Sequence, residues 1–105
     1  MTKKISYHAK EERKDRIEYI IDVFNGEFGT EVCCFIEKHT KTKTVLTTAG
    51  LIIVYNSETN NLVTMYICKT CQAIGLYKRA TGKERCPNSV YKRVINNQKY
   101  LSKQP

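Results

Sequence analysis

Apolar residues recur along the first quarter of the chain at a helical period. Ile17, Ile20, Ile21 and Phe24 fall at i, i+3, i+4 and i+7, on one face of a predicted helix over residues 8–24. Ser6 suits its N-cap, and Asn25-Gly26 its end. After Gly29 the pattern becomes that of strands, with β-branched and aromatic residues in Glu31–Glu37 (EVCCFIE), Thr44–Thr48 (TVLTT), Leu51–Tyr55 (LIIVY) and Leu62–Cys68 (LVTMYIC). Ala49-Gly50 and the polar stretch Asn56–Asn61 separate the last three as turns. Helical character returns over Gln72–Arg79. A basic loop follows at Ala80–Arg85, and Asn88 or Ser89 can cap a last helix through Val90, Val94 and Ile95. The tail after Tyr100, from about residue 101, is expected to fray.

These elements predict an α+β fold: an N-terminal helix, a four-stranded antiparallel meander covered on one face by that helix, and C-terminal helical segments. A chain of 105 residues, 41% of them hydrophobic, suits a single domain, residues 1–105. No apolar run approaches the roughly 18 residues of a membrane span, and the opening residues lack a secretory pattern. The expected location is the cytoplasm, with no membrane partner.

Charge sharpens the picture. Eighteen Lys and Arg against ten Asp and Glu give a formal net charge of +8. From Cys68 to Pro105 the only acid is Glu84. Such a field attracts polyanions, so RNA or another acidic partner is expected. Arg13, Lys78, Arg79, Lys83, Arg85, Lys92 and Arg93 are the candidate nucleic-acid contacts. Tyr77, Tyr91 and Tyr100 lie among the later ones and could stack on unpaired bases. No helix-turn-helix or zinc-finger spacing points to duplex DNA, so single-stranded RNA is the more natural ligand. Amphipathic helix surface with partly packed tyrosines accounts for the same residues.

The first helix also carries a polar stripe. His8, Glu12, Arg16 and Tyr19 fall within about 80° of one another, read as lying opposite the apolar face, with Arg13 on the shoulder nearer it. Imidazole and carboxylate can move protons, and a guanidinium can hold a phosphate at two points. A solvated helix face with a Glu12–Arg16 pair is the plainer account.

The run Ser6-Tyr7-His8-Ala9 through Arg16 resembles the S-x-H-A-x-x-R-x-x-x-R opening of small bacterial and phage proteins grouped with the RelE- and BrnT-like toxins and the wider barnase-like nucleases. Leu46–Val54 followed by Leu62–Tyr66 is similar to that group's closing hairpin. The resemblance covers roughly residues 5–67, and its order of elements matches the one read from periodicity. It implies a metal-independent ribonuclease, or a relic of one. By that likeness His8 and Arg16 would supply the helix's part, with Glu12 offered by the polar stripe alone, and Thr64 and Tyr66, on one face of a regular strand, would complete the site. A cognate protein inhibitor would then be a natural partner. Thr and Tyr are equally ordinary sheet residues.

Five cysteines without an export signal argue for thiols or a metal. Cys68-x-x-Cys71 with Cys86 offers three of the four ligands of a structural zinc site, leaving Cys33, Cys34, His39 or His8 for the fourth. Three semi-buried thiols are the simpler reading, and no cofactor is expected. The alternative to an RNA-directed protein is a non-catalytic accessory protein of a phage or mobile element that binds a host defence or nucleoprotein complex.

Overall fold

The computed structural model describes residues 7–104, with side chains from Lys14 onward. Ser6 therefore lies outside the described residues. The elements are α1 (Tyr7–Phe24), β1 (Glu31–Glu37), β2 (Thr42–Thr47), β3 (Leu51–Asn56), β4 (Leu62–Ile67), α2 (Thr70–Thr81), α3 (Asn88–Asn97) and a C-terminal 3-10 helix (Gln98–Lys103). The strands form one antiparallel sheet in the order β1-β2-β3-β4, the α+β architecture expected from the pattern.

Local chemistry closes the β2–β3 and β3–β4 hairpins. At the β2–β3 turn the Thr47 hydroxyl accepts from the Ala49 and Leu51 amides. Gly50 there has φ 79°, and a Cβ would come within 2.6 Å of Asn97 Nδ2, so helix α3 can approach only a glycine. Asn97, buried at 1% exposure, donates from Nδ2 to the Ala49 carbonyl at 2.7 Å and ties α3 to this turn. In the β3–β4 turn, Asn56 Oδ1 accepts the Glu58 and Thr59 amides.

The sheet is covered on both faces. Leu51, Ile53, Met65 and Ile67 join Ile20 and Phe24 of α1 in one cluster. Leu46, Ile52 and Cys68 join Ala73 and Leu76 of α2 and Val90 and Val94 of α3 in the other. This double burial explains the continuous apolar run of β3, where a half-exposed strand would alternate. Each fully buried Leu or Ile contributes about 1.5–3 kcal/mol relative to exposure. A single covering helix is thus only half of the arrangement, since α2 and α3 cover the second face.

Three expectations are corrected. Ile21 is 45% exposed, and α1 buries Ile20 and Phe24 with Ile17 and Val23 beside them. Of the polar stripe, Arg16 and Tyr19 flank that buried face and do not lie opposite it: both are half-buried, because each finds a partner at the helix's edge. The chain beyond Tyr100 does not fray within the described residues. Tyr100 and Leu101 pack on the α1 cluster, Tyr19 Oη donates to the Tyr100 carbonyl, and Gln104 Oε1 accepts the Ile67 amide at 2.8 Å. Apolar contact and an otherwise unpaired strand edge hold the tail.

Helix α2 runs longer than predicted at both ends. Gln72 Oε1 accepts the Lys69 amide at its start, and Gly82 at φ 78° donates to the Lys78 carbonyl at its end. Among the described residues, no helix is long and apolar enough to cross a membrane.

Candidate nucleic-acid interface

The site begins at the edge of β4, which among the described residues pairs with β3 alone. Arg16 reaches over that edge from α1. Its Nε donates to the Met65 carbonyl at 3.1 Å and its Nη2 to Thr64 Oγ1 at 2.7 Å. These bonds commit two of the five N–H donors of the guanidinium, whose carbon lies 5.8 Å from the Tyr66 ring centroid. Strand alternation puts Met65 on the α1 face and Thr64 and Tyr66 on the other, so Arg16 wraps from one face towards the opposite one.

Register extends the site across the sheet. Phe35, Thr44, Val54 and Thr64 pair in one cross-strand row, and Leu46, Ile52 and Tyr66 lie in a neighbouring row on the same face. The first row carries an arginine at each end. Arg16 holds Thr64 at the β4 end, and the Arg79 guanidinium of α2 lies 5.5 Å from the centroid of Phe35 at the β1 end. Three strand spacings separate the row's ends, about 14 Å.

Between them lies a groove of about 410 Å3, floored by Thr44, Ile52 and Tyr66 and walled by Phe35, Gly75 and Arg79. Its size falls in the roughly 300–1,000 Å3 range of ligand sites. Glu37 and Cys71 also line it. Burial pushes the Tyr66 phenol up, with Cys68 adding to the effect, while Arg16 and Arg79 pull the other way. The shift favours the protonated phenol, which can donate a hydrogen bond.

Of the predicted site residues, the structure brings Arg16, Thr64 and Tyr66 together. His8 and Glu12 fall in α1, but their side chains, like that of Arg13, lie outside the described ones. Backbone rise puts His8 about 12 Å from Arg16 along the helix axis, and Glu12 about 6 Å. The basic residues do not form one patch. Arg79 belongs to the groove, whereas exposed Lys78 lies 4.0 Å from Glu84. Arg85 lines a separate recess with Tyr91, and Arg93 another with Tyr100. Lys83 and Lys92 are exposed outside these hollows.

Phe35, Thr44, Gly75 and Cys71 were not singled out from the sequence as parts of this site. For Phe35 and Thr44 the signal is strand alternation combined with register, which pairs them directly. Gly75 carried a weaker one, as a glycine inside a helical pattern.

Cys33, Cys68 and Cys86 share the core cluster beneath α2 and α3. Cys68 Sγ donates to the Gly50 carbonyl at 3.5 Å and Cys86 Sγ to the Ala73 carbonyl at 3.6 Å, both buried, while Cys71 is exposed. Burial pushes the Cys68 thiol up to about 12 and the Cys33 thiol up to about 11. Zinc binding needs converging thiolates. Among the described residues, no group of three His, Cys, Asp or Glu side chains is placed to hold a metal ion, and His8, one of the candidate fourth ligands, lies outside the described side chains. His39 is exposed in the β1–β2 turn.

No family model matches the chain, and comparison with curated proteins and with solved structures finds no match.

Proposed function

We propose that this protein binds single-stranded RNA in the groove between its sheet and α2. The observation that carries the reading is the cross-strand row from Phe35 to Thr64 with a guanidinium at either end and the half-buried Tyr66 beside it. Cations at the margins suit phosphates, and aromatic rings between them suit unpaired bases. A net charge of +8 would draw the polyanion in.

Cleavage, the activity implied by the likeness to RelE- and barnase-like nucleases, makes a further demand. A 2′-hydroxyl must lose a proton to a base, and Tyr66, whose phenol burial pushes up, is better suited to donating. By that likeness the base would be His8, and Glu12 could orient it, about 12 Å and 6 Å along α1 from Arg16. Binding by the groove and cleavage by the helix are separable parts of the proposal.

One incubation tests both. Mixed cellular RNA is added to the protein in EDTA, beside Tyr66→Ala/Arg79→Ala and His8→Ala variants. Retarded RNA that is lost in the double variant supports the groove, and cleavage lost only in His8→Ala adds the nuclease. RNA that stays free with the parent protein overturns the reading.

A second reading, contact with a host protein, is favoured by Tyr91 and Ile95, one turn apart on α3 and 38% and 49% exposed.

A further inference from the structure

Gly75 stands in the middle of α2, between Thr70 and Thr81, where glycine weakens a helix relative to alanine. Nothing inside the protein calls for it. Its φ is not positive, and a Cβ built there would meet no atom within 4 Å. The space a side chain would occupy opens instead into the groove that holds Tyr66, Phe35 and Arg79. Close approach by another molecule is a standing reason for a glycine that the fold does not explain.

We infer that Gly75 is the seat of one unpaired nucleobase, which lies between the α2 backbone and the Tyr66 side of the groove. The inference rests on the RNA-binding reading and deepens it by locating a base site, as distinct from a phosphate site. Three features favour a base here. The floor combines an aromatic ring, an aliphatic side chain and the Thr44 hydroxyl. Arg79 offers a flat guanidinium, and such planes stack on bases as well as pairing with phosphate. Glu37 lines the same groove, and a carboxylate repels phosphate but accepts from the exocyclic amine of a base. The phosphates on either side fall to the arginines at the row's ends.

Gly75→Ala and Gly75→Leu add volume to the groove while favouring the helix, so the native fold survives and thermal midpoints stay equal or rise. Affinity is measured by fluorescence anisotropy for a labelled mixed-sequence single-stranded RNA decamer and for an abasic ribose-phosphate decamer of the same charge. The parent protein should prefer the base-bearing strand at least tenfold. Gly75→Leu should lose that preference while keeping its affinity for the abasic strand, and Gly75→Ala should fall between. A parent that prefers the base-bearing strand, with a Gly75→Leu variant that prefers it equally, overturns the base seat and leaves RNA binding standing. A parent that binds neither strand overturns both.

Discussion

Arg16 Nη2 donates to Thr64 Oγ1 at 2.7 Å across 48 positions of sequence, joining the first helix to the last strand of the sheet. The same guanidinium caps the Met65 carbonyl, and Gln104 caps the Ile67 amide, on the edge of β4 that no described strand covers. An open edge invites pairing with another chain, and here side chains from both ends of the protein occupy it.

Removing that clasp should therefore have two consequences. Arg16→Ala leaves a strand carbonyl and a buried hydroxyl without their donor, which costs about 1–3 kcal/mol. Arg16→Lys, with a single point donor in place of a fork, should lose less. Urea midpoints measure the loss, and light scattering during refolding should rise most for the alanine variant. Unchanged midpoints would mean that the clasp holds nothing.

The tail makes the complementary prediction. Truncation after Asn97 removes Tyr100 and Leu101 from the α1 cluster and Gln104 from the β4 edge. The shortened chain should melt several degrees lower, and Gln104→Ala should reproduce only a minor share of the change. Amide exchange at Ile67 should accelerate in both. Unaltered exchange in the truncated chain would refute this role of the tail.

How far the sequence could be read follows from these contacts. The strands and helices were legible because β-branched runs, Asn-Gly and Ala-Gly turns and the Ile20–Phe24 spacing are local signals. The pairing of Thr64 and Tyr66 on one face was legible from a period of two, and Arg16 from its place on the helix. What depended on register stayed hidden: Phe35 meets Thr44 only once β1 and β2 are aligned, and Arg79 reaches Phe35 only once α2 crosses the sheet. The tail was misread because polarity at Gln104 says nothing of an unpaired Ile67 amide 37 residues away. Spacing could not show that the Cys68 and Cys86 thiols each meet a backbone carbonyl in the core.

Those buried thiols predict a sensitivity to alkali. Cys33 and Cys68 are pushed from 9.0 to about 11 and about 12, mainly by burial, and Cys86 is also raised. In the unfolded chain they ionise near pH 9.0, while in the native chain they remain neutral. The stability they contribute is complete below that pH and is lost as pH rises towards the native values. Urea midpoints should hold steady from neutrality to about pH 8.5 and then fall, with a shallower fall in Cys68→Ala. A midpoint that rises between pH 9 and 11 would show the opposite sign.

Salt should separate the groove from the rest of the basic surface. RNA affinity should decline with salt, by a slope of about 0.7 per phosphate contact on a logarithmic plot. Arg79→Ala should reduce that slope by about one contact, and Lys92→Ala/Arg93→Ala should leave it alone. Tyr66→Ala should weaken binding by about 1–3 kcal/mol at every salt concentration, with Tyr66→Phe close to the parent. Equal slopes for Arg79→Ala and the parent would move the contact elsewhere.

The most direct test of the groove uses a reporter already in it. Cys71 is exposed and lines the groove, whereas Cys34 is half-buried in the row Cys34–Val45–Ile53–Met65 on the opposite face of the sheet. Alkylation rates of the two thiols are followed by mass spectrometry with and without saturating single-stranded RNA in EDTA. Protection of Cys71 by several-fold, with Cys34 unchanged, is the predicted result. Equal Cys71 rates in the presence and absence of bound RNA would contradict the proposal that this face of the sheet carries the ligand.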